Sequence, residues 1–95
     1  MAYRLTIAAE GDVTAIFLRG AAEFGIAQAE KYHAGLARQF DFLEANPRAA
    51  RERGEFRPLA RLHPFGVHVV IYRIEGDGIL ILRVLHGRQD WERHF

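Results

Sequence analysis

Two apolar runs dominate the second half of the chain, VHVVIYRI and ILILRVL, and a short Glu-Gly-Asp-Gly stretch separates them. Taking Gly76 and Asp77 as a two-residue hairpin loop places Glu75 opposite Gly78, Tyr72 opposite Ile81 and Val70 opposite Arg83. In that register one face carries His68, Val70, Tyr72, Ile74, Ile79, Ile81, Arg83 and Leu85. The other carries Val67, Val69, Ile71, Arg73, Leu80, Leu82, Val84 and His86. Neither face shows the polar alternation of a sheet with one side in water, so both need cover.

The first half supplies cover for one of them. Residues 3–8 alternate Tyr3, Leu5 and Ile7 with Arg4 and Thr6, which predicts a half-buried strand. Glu10, Gly11 and Asp12 read as a helix start with acid at the positive end of the dipole, and Val13, Ile16, Phe17, Gly20 and Phe24 follow at helical spacing. Gly25 is placed as a left-handed cap. Ala29, Tyr32, His33, Leu36, Phe40 and Leu43 form the apolar stripe of a second helix, and Asn46-Pro47 stops it. So short a turn makes the two helices antiparallel neighbours.

Residues 48–55 read as a polar, solvated connector. Residues 56–62 read as a strand with Arg57, Leu59 and Arg61 on one side, and Pro58 favours an edge position. His63, Pro64, Phe65 and Gly66 read as a turn. The predicted order is β-α-α-β-β-β in one domain spanning residues 1–95. The fold class is α+β, a twisted antiparallel sheet with an N-terminal helical hairpin packed on one face. The second face then either receives a partner or is closed by strong strand twist with Trp91 and Phe95 folded back over it.

Composition narrows the function classes. At 95 residues with 49% hydrophobic and 26% charged positions, the chain is a single globular domain with no run long enough for a membrane span. Its opening, MAYRLTIAAE, lacks a positive region followed by an apolar one, so a cytoplasmic location is expected. Cysteine and serine are absent, which removes disulfides, thiolate chemistry and the usual nucleophile triads. The net charge is +1, yet the second half is basic and its cations are all arginine, a side chain suited to phosphate or carboxylate. An arginine-rich composition is also what a GC-rich genome produces.

Arg57, Arg61, His68, Arg83, His86, Arg88 and Asp90 all lie on the last three predicted strands or just beyond them. Cleavage of an RNA phosphodiester needs a base, an acid and cations, which Arg and His can supply. In the register above, however, His68 and Arg83 share a face while His86 points to the other, so the set does not converge. Five histidines without an HExxH or a close pair do not make a metal site, and no cofactor is expected.

GVHVVIYRI, a short turn and ILILRVLHGRQD resemble the C-terminal signature of the ParE branch of the RelE/ParE toxin superfamily. Tyr3-Arg4-Leu5, Asp12, Phe24-Gly25 with Gln28-Ala29 and Tyr32, and Asn46-Pro47 are similar to the same family across nearly the whole chain. The resemblance implies a toxin of a type II toxin-antitoxin system, bound in a hetero-oligomer by a cognate ParD-like antitoxin whose C-terminal segment wraps it. For the ParE branch it implies DNA gyrase as the target, with no direct nucleic-acid binding by the toxin. For the RelE branch it implies mRNA cleavage, with basic residues on the middle strands and a C-terminal Arg with a Tyr. Arg61 falls near one of those basic positions, but Val69 stands where a strand Arg is expected and Trp91 where the Tyr would be. A gyrase-directed toxin that acts by binding is therefore the first reading. An endoribonuclease using Arg61, Arg83, His86 and Arg88 is the second, and a non-toxic interaction domain the third. Partner or target contacts are expected at Arg57, Arg61, His68, Arg83, His86, Arg88, Asp90 and Trp91.

The last ten residues, HGRQDWERHF, generate a direct test. Burying Trp91 against the sheet would stabilise so small a domain by about 3 kcal/mol. Trp91→Ala should therefore lower the melting temperature, while Arg88→Ala and Asp90→Ala should melt like the parent and be less toxic in a growth assay. Full toxicity of both charge variants would make this segment structural.

Overall fold

In the computed structural model, which describes residues 3–53 and 59–87, the chain runs β1 (Tyr3–Leu5), α1 (Ile7–Phe24), α2 (Ile26–Ala45), β2 (Glu52–Arg53), β3 (Ala60–Phe65), β4 (His68–Glu75) and β5 (Gly78–His86). The fold is α+β and keeps the predicted order, with the short β2 added. The sheet order is β1-β5-β4-β3-β2. β1 lies parallel to β5, and the other neighbours are antiparallel.

The first strand ends earlier and the first helix begins earlier than the alternation of residues 3–8 indicates, because Thr6 is an N-cap. Its hydroxyl accepts from the Ala9 N–H at 3.0 Å and donates to the Leu82 carbonyl at 2.8 Å, using both capacities of the group. Glu10 then lies in the first turn, as an acid favoured by the helix dipole. Gly25 does end α1 with a positive φ of 92°, but its ψ of 158° puts it in a glycine-only extended region instead of the left-handed helical cap. α2 follows at once and ends at Asn46, as expected.

The predicted stripe on α2 is the core face. Ala29, Leu36, Phe40 and Leu43 are buried, Tyr32 is half-buried, and His33 is exposed. Leu36, Phe40 and Leu43 pack with Val70, Tyr72, Ile79, Ile81 and Val84 of the sheet, and Tyr3 meets Phe40 edge-on at 5.3 Å. Each such large buried side chain contributes about 2 kcal/mol. Tyr72 is completely buried and donates its hydroxyl to the Pro47 carbonyl at 2.8 Å. Residues 48–53 are therefore not the solvated connector that their polarity indicates, for Ala50 is buried and β2 pairs with Ala60 and Arg61.

Two further expectations are corrected. His63, Pro64 and Phe65 belong to β3, opposite Val70, Val69 and His68, and the turn is at Gly66 and Val67. Proline has no N–H to give, but β2 reaches only Ala60 and Arg61, so Pro64 sits where the outer edge of β3 meets no described strand. Residues 56–58 of the strand predicted there lie outside the described residues, and Leu59 precedes β3. On the sheet face away from the helices, Ile71 and Leu85 are 0% and 3% exposed, and they pack with Ala60, Leu62, Val69 and Leu82. At these positions the second face is closed, as in the second of the two alternatives for it. Trp91 and Phe95, its expected cover, lie outside the described residues.

The hairpin register holds from Glu75–Gly78 to Tyr72–Ile81 and then slips. Ile71 faces Arg83, Val70 faces Val84 and His68 faces His86, because Leu82 is an extra residue in β5. The bulge falls where β1 ends and α1 begins. The Thr6 N–H bonds to the Ile81 carbonyl at 3.0 Å, the Thr6 hydroxyl to the next one, and Asp12 accepts the Val84 N–H at 2.9 Å. Asp12 also receives two bonds from the Arg83 guanidinium, at 2.7 and 2.8 Å, which raises the Arg83 pKa above its ordinary value.

This anchor predicts its own cost. Asp12 is only 13% exposed, so Asp12→Ala should lower the unfolding free energy by about 3 kcal/mol, since it strands a largely enclosed guanidinium and a backbone donor. Thr6→Ala should cost about 1 kcal/mol. Adding Arg83→Met to Asp12→Ala should recover part of the loss. Denaturant unfolding of the three variants checks this, and additive losses at positions 12 and 83 would disprove the coupling.

Candidate functional site

The bulge decides which of the predicted residues meet. By shifting β5 one place beyond Ile81, it brings His86 onto the face of His68, with ring centroids 5.7 Å apart in an edge-on arrangement. The expectation that His86 points to the opposite face is thus corrected. A two-residue hairpin loop alone carries no signal for this slip; it arises from the way Thr6 and Asp12 grip the neighbouring edge.

His68 is held by a residue that sequence reading treated as core stripe. The Tyr32 hydroxyl lies 3.1 Å from the Phe65 carbonyl and 2.7 Å from His68 Nδ1. A carbonyl can only accept, so the hydroxyl proton points to Phe65 and the proton between Tyr32 and His68 belongs to Nδ1. His68 is then the Nδ1–H tautomer, and none of the described residues bonds to its Nε2 lone pair. Burial, with His86 and Arg19 nearby, holds its pKa below the usual imidazole value. Gly66 makes this packing possible: its φ is 58°, and a Cβ there would stand 2.5 Å from the Tyr32 oxygen.

The other predicted residues do not join this pair. Arg61 donates to the Ala50 carbonyl at 2.7 Å and fastens the β2 segment. Arg83 is committed to Asp12. Arg57, Arg88, Asp90 and Trp91 lie outside the described residues. His63 donates from Nε2 to Gln39 Oε1 at 2.7 Å, and burial lowers its pKa as well. Among the described residues no group of three or more His, Asp or Glu is disposed to hold a metal, and no helix is long and apolar enough to cross a membrane. Chemically, the arrangement offers one neutral imidazole able to accept a proton, beside His86 and Arg19. It does not offer a converging set of arginines.

The two depressed imidazoles have a consequence for stability. In the unfolded chain they titrate near pH 6.5, and in the folded chain lower. As pH falls below about 6.5 the unfolded state takes up protons that the native state resists, so stability present above that pH is lost on acidification. The melting temperature should therefore fall between about pH 7.5 and pH 5.5, and the fall should shrink in His63→Gln/His68→Gln. An identical pH slope in the double variant would refute the assignment.

Comparison with known proteins places this geometry. A family model described as the ParE toxin of type II toxin-antitoxin system, parDE, matches residues 3–91. Toxin ParE1 of Mycobacterium tuberculosis is 37% identical over 93 residues, covering 97% of this chain and 95% of that protein. Toxin ParE3 of Caulobacter vibrioides is 31% identical over 80 residues, covering 84% and 80% respectively. A solved structure described as a chromosomal ParDE TA system from P. aeruginosa has a TM-score of 0.75 and 22% identity, covering 90% of this chain and 95% of that one, which speaks for the fold. The chain belongs to the ParE toxin family of type II toxin-antitoxin systems.

Proposed function

We propose that this toxin inhibits growth by binding DNA gyrase without turnover, in the cytoplasm, and that a ParD-like antitoxin neutralises it. The observation that carries the reading is the fate of the two described arginines of the alternative ribonuclease set. Stabilising a pentavalent phosphate requires cations that face the reacting atoms and are not already neutralised. Arg83 gives two bonds to Asp12, and Arg61 is bonded to the backbone of Ala50. Val69, in the place where the ribonuclease branch has a strand arginine, packs with Ile71 and Leu85. Both arginines act as fasteners of the fold, and release of either would cost stability.

Endoribonuclease activity keeps one support of its own. His68 and His86 face each other across β4 and β5, and the Nε2 lone pair of His68, to which none of the described residues bonds, can accept a proton. The two readings separate in one experiment. The chain is induced without its antitoxin, and plasmid topology, gyrase-linked DNA breaks and RNA ends are followed together. Growth arrest with DNA breaks and intact RNA is the expected result, and His68→Gln should leave it unchanged. New RNA ends that disappear in His68→Gln would replace the binding reading with the catalytic one.

A further inference from the structure

The end of the β4–β5 ladder carries an arrangement that neither growth inhibition by binding nor neutralisation uses. The Gly87 N–H donates to the Val67 carbonyl at 2.8 Å, so residues 67 and 87 form a hydrogen-bonded pair, and His68 and His86, next along the ladder, a non-bonded one. In a non-bonded pair the strands approach most closely and facing side chains are nearest. Both imidazoles are half-buried, with ring centroids 5.7 Å apart. Tyr32 fixes one of them, accepting the Nδ1–H of His68 at 2.7 Å and donating its own hydroxyl to the Phe65 carbonyl at 3.1 Å. A neutral ring anchored through Nδ1–H, with the Nε2 lone pair on its far side, is the state in which histidine ligates a metal.

We propose that His68 and His86 form a binding site for a divalent transition-metal ion of the zinc class, with two imidazole ligands from this chain and the remaining positions open to water. The separation fits a shared ion. Each ligating nitrogen stands about 2.1 Å from zinc and the ring centre about 1.2 Å further, so two imidazoles on one tetrahedral ion have centroids about 5.3 Å apart. From the observed 5.7 Å a closing movement of about 0.4 Å is needed, which a turn of the His86 ring supplies while Tyr32 keeps His68 still. Ligand type sets the class, for neutral imidazole suits zinc, copper and nickel, whereas calcium and magnesium require oxygen donors. Burial holds the His68 pKa below the usual imidazole value, so protons compete little for its lone pair near neutral pH. Arg19 opposes a cation by its charge, but its side chain is exposed and its field is screened. An anion fits less well, because the Nδ1 proton is committed to Tyr32 and Nε2 has none to donate. Two ligands are fewer than the three of a catalytic zinc site, so the ion binds reversibly. It fastens β4 to β5 where their ladder ends and stabilises the fold in proportion to its concentration. The site depends on no assumption about the toxin's target.

The test uses the full chain and Zn2+ alone, with binding read by calorimetry and by the melting temperature in a buffer free of phosphate and chelator. One ion per chain should bind, and the melting temperature should rise with its concentration. His68→Gln and His86→Gln should each weaken binding about tenfold or more. His33→Gln, whose exposed ring lies against Phe17, should bind like the parent. Tyr32→Phe keeps an aromatic ring in place and should weaken binding about tenfold. In the same variant the His68 ring nitrogens should lose their Nδ1–H signature by NMR, which a packing role alone would not change. Arg19→Gln, at an exposed position, should tighten Zn2+ about threefold by removing one screened like charge. The proposal is overturned if the parent binds no Zn2+, if His68→Gln keeps the full rise in melting temperature, or if His33→Gln loses as much binding as His68→Gln. It is equally overturned if inorganic phosphate, and not Zn2+, shifts the His68 ring signals and Arg19→Gln abolishes that shift.

Discussion

The grip of α1 on the outer edge of β5 is the contact on which the rest of the molecule depends. β1 is only three residues long and pairs with β5 from Ile79 to Ile81. Beyond that point the edge would be bare. Thr6 and Asp12 continue the pairing with side chains, taking the Leu82 carbonyl and the Val84 N–H, so an edge that could recruit another strand is closed by the first helix of the same chain. The same two residues cap the helix, hold the bulge and anchor Arg83. Backbone satisfaction, sheet register and helix placement are therefore one constraint, and a change at position 6 or 12 acts on all three.

That constraint reaches the other end of the sheet through register. Side chains on a strand alternate with period two, so one added residue exchanges the faces of everything that follows. Leu82 is that residue. Without it, Val84 would leave the helix-covered core and His86 would leave His68. With it, Val84 packs under the hairpin, Leu85 joins Ile71 on the far side, and the two histidines meet beside Tyr32. The bulge thus serves packing on both faces before it serves any chemistry.

Arginine illustrates how composition and structure assign different work. An arginine-rich second half suits an anionic partner, yet Arg83 and Arg61 are spent on Asp12 and on a backbone carbonyl. The exposed cations on the two helices, Arg19, Lys31 and Arg38, come from the half of the chain whose charge balance is acidic. Local net charge is a poor guide to where a basic surface forms, because folding pairs charges from distant parts of the chain. A toxin that works by binding is consistent with this division, since the half-buried arginines rigidify a scaffold and exposed cations sit on helices that the core holds fixed.

Much of the architecture was legible in the residues themselves. Long apolar runs around Gly76-Asp77, the helical stripe from Ala29 to Leu43 and the stop at Asn46-Pro47 each follow from local physics: turn geometry, amphipathic period, and the steric demand of proline on the residue before it. Family membership was legible too, because the order of those features is itself distinctive. What sequence could not decide depended on groups far apart in the chain. Thr6 reads as one polar residue in an alternating strand until Leu82 is beside it. His63 and Pro64 read as a turn until Val69 and Val70 pair with them, and the polar residues after Pro47 read as solvated until Tyr72 and Arg61 bind their backbone. Tyr32 and His68 lie 36 positions apart, so their shared proton belongs to no local pattern. Short-range preferences are written in neighbouring residues and were read from them, whereas register, edge closure and the pairing of charges exist only once the sheet and the helical hairpin have met.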